Sequence, residues 1–415
     1  MMSGAPIPNQ PIDRRPIALT NGRIVLPDRV VTGRALLVAG GVISGLIPAD
    51  ELGDDVQVLD VGGRVIAPGL VDIHTHGAVD HTFNEPAAAA YEAITVENAR
   101  HGVTSLLATL AAVAPIAELC ACLDFCRNWM AQPHDGAQVL GAHLESPFID
   151  PAQAGGVNRK GLRTPADGSA EPLLAYGDVL RIFVLAPELP GALDLVAALV
   201  ERGIMPAAGH SSARESDVAA AVARGLRHIT HIWSAQSSTI RVGPWRKPGL
   251  LEASLVFDGL MVEMIADNRH LPPTLMRLAY KCIGPDRLCA ISDATSGAGL
   301  PEGSHFTIGG MAYEVRDGVG MLIGDDTTFA GSSTLLNQML PVLIEEVGIP
   351  LVEALRMASL TPARAIGWAE RKGSLEPGKD ADIAVFNPDF ASWRTMIGGR
   401  WVWAGDSAAR QAARH

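Results

Sequence analysis

Apolar and polar positions follow two different rhythms along this chain. From Ala18 to Val65 short apolar runs, IALTNGRIVL, RALLVAGGVISGLI and VQVLDVGGRVI, are separated by Gly and Asp turns with no helical period between them, which predicts a small sheet. From Ala67 onward apolar strands alternate with Ala-rich stretches of helical period. The strand candidates are GLVDIHTH, VTSLLATL, QVLGAHLES, RIFVLAPE, IMPAAGH, HITHIWS, LMVEMIAD and LCAISDA. Repeated βα alternation of this kind predicts an α/β fold, a (β/α)8 TIM-like barrel. The last segment, GSLEPGKDADIAVFNPDF followed by WRTMIGGRWVWAGD, has the texture of the first. Both ends of the chain are therefore expected to build one small β-sandwich domain beside the barrel, from residues 1–66 and 361–415, with the barrel at 67–360.

Composition agrees with a packed protein. Of 415 residues, 48% are hydrophobic and 19% charged, enough to bury one large core and a smaller one. The formal charge of -12 offers no electrostatic reason to approach nucleic acid or an anionic membrane, since both reward clustered Lys and Arg. An anionic substrate would have to be met by a local basic patch. The opening MMSGAPIPNQPIDRRP has no apolar signal region, and no apolar run approaches the roughly 18 residues of a membrane span, so the cytoplasm is the expected location. Five cysteines without metal-ribbon spacing argue against a disulfide framework, and three of them fall in IAELCACLDFCRNWM, where helical spacing predicts buried thiols.

Ionisable residues recur where the barrel strands should end, the face on which such barrels assemble active sites. His74 and His76 stand two apart in GLVDIHTH, so the strand period points both imidazoles to one side. Glu145 closes QVLGAHLES, His210 closes IMPAAGH, His231 follows HIT, and Asp293 closes LCAISDA. Any one of these alone would be read as a hydrogen-bonded rim residue. Burying the whole group without a metal would leave polar atoms unsatisfied, at about 1–3 kcal/mol each. Imidazole nitrogen and carboxylate oxygen are donors that Zn, Fe, Mn or Co accept.

On these residues the chain resembles the amidohydrolase superfamily, and within it the N-acetylglucosamine-6-phosphate deacetylase branch. The resemblance rests on APGLVDIHTHG (67–77), GVTSLLATL (102–110), GAHLESPFI (141–149), LAPE (185–188), AGHSSA (208–213), THIWSA (230–235), GPDRLCAISDAT (284–295), FAGSS (329–333) and GSLEPGKDADIAVF (373–386). It implies a metal-dependent carbon–nitrogen hydrolase of amino sugar metabolism. Glu145, His210 and His231 would be the core metal ligands, His74 and His76 would complete a second site, and Asp293 would be the catalytic acid/base. The cofactor implied is one or two divalent ions per subunit, zinc first, with iron, manganese or cobalt as alternatives. The expected substrate is an N-acetylhexosamine 6-phosphate, split to acetate and amino sugar phosphate.

The residues expected to meet substrate are His143, Ser234, Ala235, Arg246 and His270. Arg246 falls where the family has a phosphate-binding arginine that reaches into the neighbouring subunit, which implies a homodimer. His143, two residues before Glu145, could equally support the metal. The sugar-binding motifs depart from the family pattern. Ser234-Ala235-Gln236 replaces Asn-Ala-Met, Gly155-Gly156-Val157 replaces Gly-Ala-His, Asp267-Asn268-Arg269-His270 replaces Asp-Gly-x-His, and Ser146 replaces a glycine. An amidohydrolase acting on a different N-acyl or cyclic amide substrate is therefore the alternative. A catalytically silent ligand-binding relative is disfavoured, because competent residues occupy the catalytic positions.

Overall fold

The computed structural model describes residues 4–6, 15–111, 115–157 and 159–405; the remaining ends of the two terminal segments lie outside the described residues. The eight apolar runs form the strands of one parallel sheet, here β1 (Leu70–Thr75), β2 (Val103–Leu110), β3 (Gln138–Leu144), β4 (Leu180–Leu185), β5 (Met205–Ala208), β6 (His228–Ile229), β7 (Met261–Ile265) and β8 (Leu288–Ile291). Their order follows the chain, and a parallel bridge between Thr75 and Ala294 joins the first edge to the last. The strands are buried along nearly all of their length, as expected where helices cover one face and the barrel interior fills the other.

Helices such as Ala88–Arg100, Ile116–Met130, Ala192–Glu201 and Pro273–Ile283 cover the strands. In Ile116–Met130 the buried positions Leu119, Cys122, Leu123, Cys126 and Trp129 follow the three- and four-residue spacing of one helical face, and all five cysteines are free. The alternation breaks once. Between β3 and β4 the chain makes four short 3-10 turns, Pro151–Gln153, Arg159–Gly161, Pro165–Asp167 and Glu171–Tyr176. Prolines at or near the start of three of these turns suit a first turn, where the missing N–H has no helical acceptor to lose.

The two ends of the chain do meet in a second body. One sheet runs Gly4–Pro6, Arg400–Gly405, Ser392–Ile397, Ile383–Phe386, Val65–Pro68, Arg23–Val25, Val30–Val31, so C-terminal strands pair directly with N-terminal ones. A second sheet of Val42–Pro48, Arg34–Ala39, Ile17–Thr20 and Gln57–Asp60 packs on it. Leu19, Leu36 and Ile43 share one core with Ile66, Ile383 and Trp393. Two insertions decorate the barrel mouth: an exposed hairpin, Ile240–Val242 with Trp245–Lys247, and a four-stranded antiparallel meander from His305 to Ser332. Among the described residues no helix is long and apolar enough to cross a membrane.

Candidate metal centre and its cavity

Barrel closure brings the first and last strands together at their carboxyl ends. Asp293 donates its backbone N–H to the His74 carbonyl at 2.9 Å, and His76 donates to the Ala294 carbonyl at 2.7 Å. On the side-chain level His76 Nε2 then lies 3.2 Å from Asp293 Oδ1 and 3.2 Å from Glu145 Oε2. Glu145 is carried in from β3, where its backbone N–H pairs with the Leu110 carbonyl at the end of β2. Its Oε1 lies 2.8 Å from His231 Nε2, 3.1 Å from His210 Nε2 and 3.5 Å from His74 Nε2.

Three of these residues leave their strands through a left-handed backbone. His210, His231 and Asp293 have φ of 46°, 22° and 49°, a region that costs a non-glycine residue about 1–3 kcal/mol and persists only where the surroundings enforce it. For His210 the enforcement is visible. Its Nδ1 donates to the Gln153 carbonyl at 2.8 Å, while Glu188 grips the following residues, accepting from Ser211 Oγ at 2.7 Å and from the Ser212 N–H at 2.5 Å.

All six side chains are buried or nearly so, and their charges depend on one another. Burial alone would raise Glu145, but the charge of His74 and hydrogen bonds from His210, His231 and His74 hold it well below the usual carboxylate range. Burial would likewise depress His76, yet its bonds to Asp293 and Glu145 lift it to about 9. Asp293 is raised by burial and brought below its ordinary value by the hydrogen bond of His76 and the charges of both strand-one histidines. The protein thus concentrates negative charge that needs a cation, whether proton or metal. The sets His74, His76, Asp293 and His74, Glu145, His231 each have their ligand atoms within 4.8 Å of one another. Mixed imidazole and carboxylate donors turned inward at this spacing fit a divalent cation.

The cluster forms the base of a cavity of about 400 Å³. His76, Glu145, His210, His231 and Asp293 line it, as do the expected substrate contacts Ser234, Ala235 and His270. His270 donates from Nδ1 to Asp267 at 2.7 Å, which leaves Nε2 free on the other side of the ring. One expectation for a substrate contact is revised. His143 is fully buried and does not line the cavity: its ring packs against His74 at 4.3 Å and its Nδ1 donates to the Ile73 carbonyl at 2.9 Å. Burial, followed by the charge of His74, pushes its pKa down to about 3, so it stands as a neutral support beneath the cluster. Arg246 lies on the exposed hairpin and does not line the cavity of its own chain.

No Lys or Arg is among the described residues lining this cavity. Its upper wall comes from the meander, through Ile308, Phe329 and Ala330, and from Val157. Sequence reasoning passed over Ile308 in that wall, and also over Glu263, a fully buried carboxylate on β7 that contacts His74 and His228. The signal was present: an acidic residue in the middle of the apolar run LMVEMIAD, well before the Asp that ends it.

Comparison with known proteins bears on the same residues. The amidohydrolase family model matches residues 65–402, and the NagA composite domain matches 17–66. An N-acetylglucosamine-6-phosphate deacetylase of Vibrio furnissii is 32% identical over 375 residues, covering 89% of this chain and 92% of that protein. The human protein of that name is 33% identical over 416 residues, covering 96% and 98%. Among solved structures, the N-acetylglucosamine-6-phosphate deacetylase of Pasteurella multocida superposes with a TM-score of 0.87 at 30% identity, over 93% of this chain and 99% of that one.

Proposed function

This chain belongs to the amidohydrolase family, and from that premise we propose that it is a metal-dependent deacetylase. It hydrolyses the N-acetyl amide of an N-acetylhexosamine 6-phosphate, N-acetylglucosamine 6-phosphate first, to acetate and the amino sugar phosphate. The observation that carries this is the position of Glu145, whose two oxygens face His231, His210 and His76 at 2.8, 3.1 and 3.2 Å on the floor of a cavity sized for a small ligand. Glu145, His210 and His231 would hold one cation, and His74 with His76 a second, with Glu145 shared. Zinc is the metal this donor set suits best, with iron, manganese and cobalt compatible. When bound, the cation supplies Lewis acidity, making water nucleophilic near neutral pH and polarising the amide carbonyl.

The chain's own residues do the rest. Asp293, ionised and beside His76, takes the proton of the attacking water and returns it to the departing nitrogen, which cannot leave as an anion. Ser234, Ala235 and His270 line the path of the sugar. Since no Lys or Arg lines the cavity among the described residues, a phosphate would be met by Arg246 of a second copy, and a homodimer is part of the proposal. Apolar Val157, Ile308 and Phe329 on the wall favour, as a second reading, a less polar N-acyl substrate on the same chemistry.

The test is acetate release from N-acetylglucosamine 6-phosphate before and after chelation, with metal content measured in parallel. Asp293→Asn should keep its metal and lose about 10²–10⁴-fold in turnover. A protein that releases no acetate from any N-acetylhexosamine phosphate when metal-loaded would exclude the first reading.

A further inference from the structure

Strand β7 reads Met-Val-Glu-Met-Ile, and its one charged side chain is fully buried in the barrel. A carboxylate taken out of water there costs several kcal/mol unless it is paired and hydrogen-bonded. Glu263 has three hydrogen-bond partners. Its Oε2 accepts from His74 Nδ1 at 2.9 Å and lies 3.3 Å from the backbone N–H of His231, and its Oε1 accepts from His228 Nε2 at 2.8 Å. Two of these three belong to the candidate metal ligands, one through its ring and one through its main chain.

We propose that Glu263 is a positioning residue for the second cation site: by accepting the Nδ1 hydrogen of His74 it fixes the tautomer and ring plane that present the Nε2 lone pair to the cluster. An imidazole can ligate only through a nitrogen that carries no hydrogen, and the hydrogen bond made by the other nitrogen decides which one that is. His74 Nε2 accordingly lies 3.3 Å from His76 Nε2, 3.4 Å from Asp293 Oδ1 and 3.5 Å from Glu145 Oε1. His74 has no exposed surface, so no solvent water could take over the acceptor's part. His210 is oriented independently, by the Gln153 carbonyl at 2.8 Å. Loss of Glu263 removes the side-chain acceptor of His74, whereas His231 loses a 3.3 Å main-chain contact and keeps its ring against Glu145, so the effect falls first on the His74–His76 site. The inference rests on the two-ion form of the proposed function.

The experiment is a zinc titration of chelator-stripped protein, with bound metal counted by elemental analysis and folding checked by thermal melts. Wild type is expected to take two ions per chain. Glu263→Gln offers one carbonyl to two imidazole donors, and should keep the first ion while weakening the second about 10- to 100-fold. His228→Asn removes a partner of the same carboxylate but not the link to His74, and should keep both ions. Should Glu263→Gln fail to fold, histidine-selective ¹⁵N labelling of the wild type still decides, because it reads the His74 tautomer directly. A hydrogen on Nδ1 is expected, and a hydrogen on Nε2 overturns the proposal. Two ions at unchanged affinity in Glu263→Gln would overturn it while leaving the deacetylase assignment in place. A wild type that releases acetate with one ion only would remove the second site, and this inference with it.

Discussion

His270 shows how one hydrogen bond can tie stability to pH. Burial lowers its pKa, but the hydrogen bond and charge of Asp267 more than offset this and raise it above the ordinary imidazole value. Burial raises Asp267, and the same hydrogen bond and charge hold it below its ordinary value. The histidine contributes stability that is complete below an unfolded pKa of about 6.5 and is lost as pH rises through the raised folded value. The aspartate contributes stability that is complete above about 3.9 and is lost as pH falls through the lowered one. Their joint contribution is greatest between those limits. His270→Asn should therefore depress the melting temperature of the metal-loaded protein most near pH 5.5 and least near pH 9. A gap that stays constant over that range would contradict the pairing. At this scale the strand-end histidines and carboxylates were legible because a charged residue at the end of an apolar run has few places to go. His143 was left between substrate contact and metal support because alternation gives the side of a strand and not the depth along the barrel axis.

Among the elements, the hairpin of Ile240–Val242 and Trp245–Lys247 is exposed on every residue, including Ile240, Val242 and Trp245, the last at 69%. A short hairpin rarely holds itself out with bare apolar side chains unless something covers them. In the proposed dimer that cover is the second copy, and Arg246 travels with it. Arg246→Ala should raise KM for the phosphorylated substrate about 10- to 100-fold, the worth of a charged hydrogen bond, and leave the unphosphorylated sugar nearly unaffected. Trp245→Asp should shift the protein toward monomer in analytical ultracentrifugation and copy that KM effect. Full activity in a monomer would remove the hairpin from the site. The barrel strands were readable from their apolar runs. The 3-10 turns between β3 and β4 were not, because a surface connection carries no periodic demand for burial.

For the molecule as a whole, Lys372 is a tie between its two bodies. Its ammonium, 3% exposed, donates to Asp382 at 2.7 Å and to Gln138 at the start of β3 at 2.8 Å, and lies 3.0 Å from Asp380. Lys372→Met would leave Asp382 buried beside a severed ion pair, at a cost of about 3–5 kcal/mol. Urea unfolding should show a lower midpoint, and an unchanged midpoint would mean that the pair contributes nothing. What the sequence determined by itself was periodic or chemical: strand and helix periods, the doubled texture of the termini, and the donor types that suit a metal. These follow from local burial and from the few roles a charged residue can play in an apolar run. Only the tertiary structure decided which donors share an atom, that no Lys or Arg lines the cavity among the described residues, and that Glu263 reaches His74. Those are distances between residues far apart along the chain, 189 positions for Glu263 and His74, set by barrel closure and side-chain packing, and no pattern along the chain encodes them.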